Sequence, residues 1–190
     1  AQSKQFRSER DTELLVLAYG DSWLVVSITA TQNIDDQTRR DREAPQVHVR
    51  RGMLPTKLAR IMVNLGLGCV PASIDPVLLD PFCGTGRVLM EGRLLGAQVV
   101  GSDIDPAAVT ATVDNLIWLE QQYHLPLTNW SNAIHQLPIN RVHTIFIPSS
   151  VDCIVTEPDL GPPQTRSLPV REARQLLSRL EPTHRALLQA

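Results

Sequence analysis

The sequence predicts an α/β protein in which helices flank a parallel sheet and a β-hairpin precedes it. Short apolar segments bounded by turns alternate with amphipathic segments of helix length, which is typical of βαβ units. A glycine-rich loop joins the first of these predicted strands to a helix, and the next strand ends in acidic residues. The chain has 190 residues, of which 43% are hydrophobic and 20% charged, as expected for one globular domain with an appendage.

The N-terminal residues, 1–49, are expected to form that appendage, and residues 50–190 the main domain. Residues 13–31 contain two β-rich runs around a Gly-Asp pair, which is the pattern of a hairpin. Residues 32–52 are polar and charged without a period, and we expect a linker there.

The remaining elements follow from periodicity and from capping residues. After residue 53, apolar residues recur at intervals of three and four, which predicts a helix with Thr56 as its cap and Gly66 or Gly68 at its end. Asp105 followed by Pro106 predicts another helix start. In chain order, we expect a helix over 54–66, a strand over 76–80, a helix over 87–96, a strand over 97–105, a helix over 106–125, a third strand over 127–130, an extra strand within 143–147, a fourth core strand over 151–155 and a helix over 170–190 that Pro182 breaks or kinks.

Composition excludes several classes of protein. The formal net charge is −2, so bulk charge alone does not indicate a nucleic-acid-binding protein. The three cysteines, Cys69, Cys83 and Cys153, are too few and too widely spaced for a disulfide framework or a zinc site, and the five histidines show no metal-ligand spacing. We expect no metal. No apolar run reaches the roughly 18 residues of a membrane span, and the N-terminus lacks a signal-peptide core, so we expect a cytoplasmic protein and no membrane partner.

The loop at residues 81–86, PFCGTG, has the features of a cofactor-binding loop. Its glycines allow a ligand to approach the backbone, and the N–H groups of the following helix favour an anionic group. The third glycine of a dinucleotide fingerprint is missing, and no Gly-Lys-Ser/Thr follows, so NAD and ATP are disfavoured. The pattern favours S-adenosylmethionine, whose carboxylate suits the loop and whose ribose diol suits the carboxylate of Asp103.

Further residues around this loop complete the predicted cofactor site. Asn132, expected to follow the third strand, offers a carbonyl oxygen to the adenine amino group. Cys83 is expected to pack or to contribute backbone rather than to act as a nucleophile, because no activating neighbour is evident in the sequence. The predicted cofactor-binding residues are Asp80, Phe82, Cys83, Gly84, Thr85, Gly86, Asp103, Ile104, Asn132 and Ala133.

These residues resemble a known family. The strings LLDPFCGTGRVLMEG, GSDID and DNL are similar to those of class I methyltransferases that modify guanine N2 in tRNA, the Trm-eleven-like and archaeal tRNA guanosine-methylase group. The string GMLPTKLARIMVNLG resembles the helix before their first strand, and the resemblance covers about residues 50–163. It implies a Rossmann-like class I methyltransferase fold, S-adenosylmethionine as cofactor and tRNA as partner.

The stretch VTEPDLGPP, residues 155–163, stands where this family carries an Asp-Pro-Pro-aromatic loop that holds the target base. The resemblance implies that Glu157 accepts hydrogens of the target amine, that Pro158 keeps the turn, and that Leu160 replaces the aromatic ring. Asp159 adds a second acid that could repel RNA phosphate. A simple proline-rich turn is the alternative interpretation of this stretch.

A basic stretch could contact RNA phosphates, although a solvated linker explains it equally well. Its predicted nucleic-acid-binding residues are Arg39, Arg40, Arg42, Arg50, Arg51 and Lys57. The four expected core strands are fewer than the seven of the complete fold, so the sheet is expected to be incomplete at its C-terminal side. A truncated fragment, a protein partner that completes the sheet, and a degenerate protein all remain open. The alternative functions are a DNA amino-methyltransferase and a non-catalytic RNA- or cofactor-binding remnant.

Overall fold

The computed structural model describes residues 14–28, 31–47, 53–71, 75–147 and 149–189. Contacts divide the chain into two compact units, residues 1–36 and residues 37–190. Arg50 and Arg51, two of the residues predicted to contact RNA, lie outside the described residues.

The first unit contains the expected hairpin. Strand β1 (Leu14–Tyr19) pairs antiparallel with strand β2 (Ser22–Ser27), from Leu14 opposite Ser27 to Tyr19 opposite Ser22. Gly20 adopts a φ of +58° at the tip, a conformation that glycine tolerates and that a tight hairpin turn requires. The hairpin prediction is therefore confirmed.

The second unit alternates helices and strands, as the sequence predicts. Its elements are α1 (Ile34–Arg42, which begins in the first unit), α2 (Thr56–Gly68), β3 (Val77–Asp80), α3 (Arg87–Leu94), β4 (Gln98–Asp103), α4 (Pro106–Gln122), β5 (Ile134–Gln136), β6 (Cys153–Ile154) and α5 (Val170–Leu187), with short 3-10 helices at Trp130–Asn132 and Ile139–Thr144.

The second unit contains a four-stranded parallel sheet in the order β5-β4-β3-β6. Side chains of successive strand residues point to opposite faces. Leu78 and Val99 accordingly join a hydrophobic cluster with α2, α3 and α4, whereas Leu79 packs with Ile139 and Val142 on the other face. The structure thus confirms a Rossmann-like parallel sheet with flanking helices. Strand β6 is an edge of this sheet, as expected for the fourth strand.

Four of the predicted features differ from the structure. The third strand is Ile134–Gln136 rather than 127–130, and the extra strand expected within 143–147 is replaced by the 3-10 helix at Ile139–Thr144. Helix α5 runs continuously past Pro182 to Leu187, so Pro182 does not break the helix. Residues 34–42, expected within a linker, form α1.

Within the second unit, residues 37–42 of α1 are held by ionic contacts rather than by an apolar stripe. Arg40 is 3% exposed, and its Nε donates to Oε1 of Glu91 at 2.6 Å. The other oxygen of Glu91 accepts from Nε of Arg60 on α2, so one buried carboxylate joins α1, α2 and α3. Arg87 donates to the backbone oxygens of Arg40 and Asp41 and so satisfies carbonyls in the last turn of α1.

The start of α2 also differs from the prediction. Thr56 is the first helical residue, and no side chain of the preceding residue caps the helix. Instead, Oδ1 of Asp41 accepts the backbone N–H of Thr56 at 3.0 Å, so α1 supplies the cap. The helix ends at Gly68, one of the two positions predicted. None of the helices in the described ranges combines the length and the apolar character that a membrane crossing requires.

Candidate cofactor and substrate site

The glycine loop connects β3 to α3 in a conformation that depends on glycine. Gly84 and Gly86 have φ values of +55° and +80°, in the left-handed region. A Cβ on Gly86 would lie 3.0 Å from Cγ2 of Thr112 on α4, so the loop backbone packs directly on that helix. The N–H groups of the first turn of α3 have no partners within the helix and are available to an anion.

Asp103 stands beside this loop at the end of β4. Its Oδ2 accepts the N–H of Gly84 at 2.9 Å, and its Oδ1 accepts the N–H of Asp105 at 2.9 Å. Each carboxylate oxygen can accept a second hydrogen bond, so the side chain keeps capacity for a ligand hydroxyl. The acid predicted at the end of the second core strand therefore contacts the glycine loop directly. Asp105 caps α4 as predicted, accepting the N–H of Ala107 at 2.9 Å.

Two buried polar residues on α4, neither of them predicted from the sequence, hold the glycine loop in place. Thr112 donates through Oγ1 to the carbonyl of Gly84 at 2.9 Å. Asn115 donates through Nδ2 to the carbonyl of Thr85 at 2.8 Å, and its Oδ1 accepts the N–H of Gln46 at 2.9 Å. Because both side chains are fully buried, these contacts fix the loop carbonyls and thereby the direction of the loop N–H groups. Their spacing of three residues on the buried face of α4, which also carries Leu116 and Leu119, was an available signal.

Asp80, the last residue of β3, is a buried acid between the two loops of the site. It is 2% exposed, and its Oδ1 accepts from the hydroxyl of Thr156 at 2.6 Å and from the N–H of Phe82 at 3.1 Å. Burial raises the pKa of Asp80 to about 7, the nearby carboxylates of Asp103 and Glu157 add to the rise, and the two hydrogen bonds oppose it.

The loop after β6 carries the residues predicted to hold a target base. Glu157 and Pro158 are half-buried, whereas Asp159 and Leu160 are exposed. Oδ1 of Asp159 accepts the N–H of Gly161 at 2.8 Å, a local turn that stabilises the loop. Asp159 is therefore a turn-forming residue as well as a second acid.

Two adjoining cavities lie along the glycine loop and along residues 155–163, which we call the base loop. A cavity of about 200 Å³ lies at the glycine loop, and a groove of about 960 Å³ lies along the base loop. Phe82 and Glu157 line both cavities. The cavity is also lined by Met53, Leu54, Asp80, Cys83, Gly84, Thr85 and Arg87, and the groove by Asp103, Ile104, Asn140, Pro158, Asp159 and Leu160.

The predicted adenine contacts are not brought into this site. Because the third strand is β5, Asn132 and Ala133 precede it, whereas the cavities open at its carboxyl end. The residue that stands beside Asp103 in the strand register is Gln136, and Asn140 follows on the groove wall. Asn140 therefore lines the groove, whereas Asn132 and Ala133 line neither cavity.

The basic stretch is only partly available to a ligand. Arg40 is buried against Glu91, which contradicts its predicted contact with RNA. Arg39 is exposed and 3.8 Å from Glu43, and Arg42 and Lys57 are exposed.

Cys83 is a buried packing residue of the glycine loop. Burial raises the pKa of its thiol, which disfavours the thiolate that a nucleophile requires. Among the residues that the structure describes, no three His, Cys, Asp or Glu side chains are grouped so as to hold a metal ion.

The chain is similar to known methyltransferases. The family described as RMKL-like, methyltransferase domain matches residues 44–163. A tRNA (guanine(10)-N2)-dimethyltransferase from Methanothermobacter thermautotrophicus is 36% identical over 110 residues, which make up 58% of this chain and 28% of that protein. The protein of the same name from Methanocaldococcus jannaschii is 34% identical over 137 residues, or 64% of this chain and 35% of the relative.

Among solved structures, the rRNA methyltransferase aviRa from Streptomyces viridochromogenes aligns with a TM-score of 0.50 at 18% identity, covering 76% of each chain. That likeness shows the fold. The chain spans about a third of the length of the two curated relatives above. Because the family match covers more than half of the chain, the protein is a member of the RMKL-like methyltransferase domain family.

Proposed function

We propose that this protein transfers a methyl group from S-adenosylmethionine to the exocyclic amine, N2, of a guanine in tRNA. The family supports methyl transfer, and the relatives named tRNA (guanine(10)-N2)-dimethyltransferase support this substrate. The observation that carries the proposal is the shared wall of the two cavities, because Phe82 and Glu157 border both the glycine loop and the base loop.

The residues present fit the proposed cofactor. The positive φ of Gly84 and Gly86 leaves the loop backbone open to close approach, and the adjoining N–H groups of α3 suit a carboxylate. Asp103 would hold the ribose hydroxyls through the oxygens that already fix the loop. Gln136 or Asn140 would offer an amide to adenine.

The chemistry requires an amine to be held in line with a methyl donor and to lose a proton. When bound, S-adenosylmethionine supplies an electrophilic methyl group on its sulfonium. Glu157 and the carbonyl of Pro158 would accept the hydrogens of the exocyclic amine, which orients its lone pair. As the new N–C bond forms and the S–C bond breaks, Glu157 would take the proton that leaves the nitrogen.

Leu160 would contact the target base without stacking on it. Stacking on an aromatic side chain contributes about 1–3 kcal/mol per base. Its loss would weaken base binding roughly ten- to a hundred-fold. Leu160 is 66% exposed and still offers an apolar contact at the groove.

Exposed arginines and lysines near α1 and α2 would add phosphate contacts. The phosphate contacts that we propose are those of Arg39, Arg42 and Lys57, which are exposed. Arg50 and Arg51, which lie outside the described residues, are proposed from the sequence alone.

The proposal is tested by incubating the protein with methyl-labelled S-adenosylmethionine and unmodified tRNA, then identifying methylated nucleosides by mass spectrometry. We expect label in N2-methylated guanosine. Binding of S-adenosylhomocysteine, measured separately by calorimetry, establishes that the cofactor site is formed. Cofactor binding without any labelled nucleoside would refute the proposed reaction.

A further inference from the structure

Helix α5 carries a row of arginines outside the basic stretch around α1 and α2. Arg171, Arg174 and Arg179 are all exposed. At 100° per residue they fall within an arc of about 140° on the helix surface, and at 1.5 Å per residue they extend over about 12 Å. We call these three residues the arginine face.

The base loop packs on Leu176 and Leu180, which lie on the opposite side of α5. A Cβ on Gly161 would lie 2.9 Å from Cδ1 of Leu176 and 3.4 Å from Cδ1 of Leu180, so the end of the loop packs directly on the helix. Farther along α5, Pro182, Thr183 and Ala186 line the same groove as Glu157. The arginine face is thus fixed to the helix that borders the proposed target-base groove.

The charges of the arginine face are not neutralised within the described chain. The two acids of α5 pair elsewhere, Glu172 with Arg166 at 3.2 Å and Glu181 with Arg185 at 2.5 Å. No ion pair in the described residues engages any of the three arginines. This differs from the basic stretch around α1 and α2, where Glu91 takes up the charges of both Arg40 and Arg60.

We propose that the arginine face binds backbone phosphates of the substrate RNA next to the target nucleotide. The inference rests on the proposed function and adds the surface along which the RNA runs. A helix with its side chains is about 10–12 Å across, so the arginine face lies within a few nucleotides of the groove. Guanidinium groups bind phosphates through planar, charge-assisted hydrogen bonds.

The test is the salt dependence of tRNA binding, measured by fluorescence anisotropy with unmodified tRNA from 50 to 300 mM KCl. The variant is Arg171→Gln/Arg174→Gln/Arg179→Gln. The matched control is Arg166→Gln/Arg185→Gln, which removes exposed arginines that are already ion-paired. Circular dichroism and S-adenosylhomocysteine affinity establish that both proteins are folded.

Each phosphate contact contributes about 0.7–0.9 to the slope of log K against log salt. We expect the triple variant to lose about 2 from that slope and to bind tRNA about ten-fold more weakly at low salt, with a smaller loss in the control. An unchanged slope, or an equal loss in the control, would overturn the inference while leaving the proposed function intact. A triple variant that keeps its tRNA slope but loses binding to phosphatidylserine vesicles would assign the face to a membrane instead. Wild-type protein that binds cofactor but no tRNA would refute both proposals.

Discussion

Oγ1 of Thr156 lies 2.6 Å from Oδ1 of Asp80 and donates a hydrogen bond to it. Thr156 immediately precedes the proposed amine-binding residue Glu157, and Asp80 immediately precedes the glycine loop. This hydrogen bond therefore connects the base loop to the glycine loop at the ends of the parallel strands β3 and β6. It also places a buried carboxyl group, with its pKa raised to about 7 by burial, on the wall of the smaller cavity.

The raised pKa of Asp80 predicts that folding stability falls as pH rises from about 4 to about 7. In this range the folded state holds a proton that the unfolded chain, whose carboxyl has a pKa of 3.8, has released. The proton on Asp80 contributes its full amount to the free energy of unfolding below pH 3.8, and this contribution is lost as the pH rises to about 7. We expect Asp80→Asn, which is neutral at every pH, to remove this dependence and to unfold at higher urea than wild type at pH 8.

The measurement is the difference in free energy of unfolding between variant and wild type at pH 5 and pH 8. Asp105→Asn is the matched control, because both aspartate and asparagine at position 105 can cap the start of α4. If the free energy of unfolding of Asp80→Asn depended on pH as strongly as that of wild type, the raised pKa of Asp80 would be contradicted.

Thr112 and Asn115 are predicted to position the glycine loop for the cofactor. Thr112→Val leaves the carbonyl of Gly84 without its buried partner, and Asn115→Leu does the same to Thr85. Leaving a buried polar group unpaired costs about 1–3 kcal/mol. We expect S-adenosylhomocysteine to bind roughly ten- to a hundred-fold more weakly in each variant by calorimetry.

Thr112→Ser keeps the hydroxyl and should restore most of the cofactor affinity. Thr110→Val is the control, since Thr110 is exposed on the same helix and bonds only to the carbonyl of Pro106 among the contacts described. Loss of thermal stability with unchanged cofactor affinity would assign Thr112 and Asn115 a purely structural role.

Leu160→Tyr is predicted to strengthen the enzyme. The new ring would stack on the target base, and the exposed position has room for it. We expect kcat/KM for tRNA to rise about ten-fold, with cofactor affinity unchanged. Leu177→Tyr is the control, because Leu177 is 65% exposed on α5 and lies outside the residues that line the groove. An equal effect of both substitutions would argue against stacking.

Glu91 is predicted to be essential for packing α1 against the methyltransferase domain. Glu91→Gln leaves Arg40 buried without its carboxylate, and breaking a buried ion pair from one side costs roughly 3 kcal/mol or more. Urea denaturation measures the loss. Glu43→Gln removes an exposed partner of Arg39 and should cost under about 1 kcal/mol, so comparable losses would contradict the central position of Glu91.

Features that depend on neighbouring residues were predictable from the sequence. The glycine loop, the acid at the end of β4 and the Asp105 cap each rest on a few adjacent residues, and each is present. The position of Asn132 was wrong because β5 has only three residues and no alternation from which to identify it. When a short strand is misplaced by a few residues, a residue expected after the strand lies before it instead. Asn132 is such a residue, and only the carboxyl end of β5 faces the site.

Features that depend on long-range ionic contacts were not predictable from periodicity. Helix α1 has no apolar stripe, because its buried residue is Arg40 and the partner, Glu91, is 51 residues away. Its ends did carry a signal: Asp35 and Asp36 lie in the first turn, arginines lie in the last, and Asn33 accepts the N–H of Asp36 at 3.0 Å. The contact of Thr156 with Asp80 likewise depends on strand order.

The most direct test of the account is methyl transfer to unmodified tRNA by Glu157→Ala. Removing a positioned general base lowers rates about 10²–10⁴-fold. We predict a loss of that size in labelled N2-methylguanosine, with S-adenosylhomocysteine and tRNA affinities within about two-fold of wild type, and activity retained in Glu157→Asp. A Glu157→Ala protein that methylates tRNA at the wild-type rate would contradict the central claim that this loop holds and deprotonates the target amine.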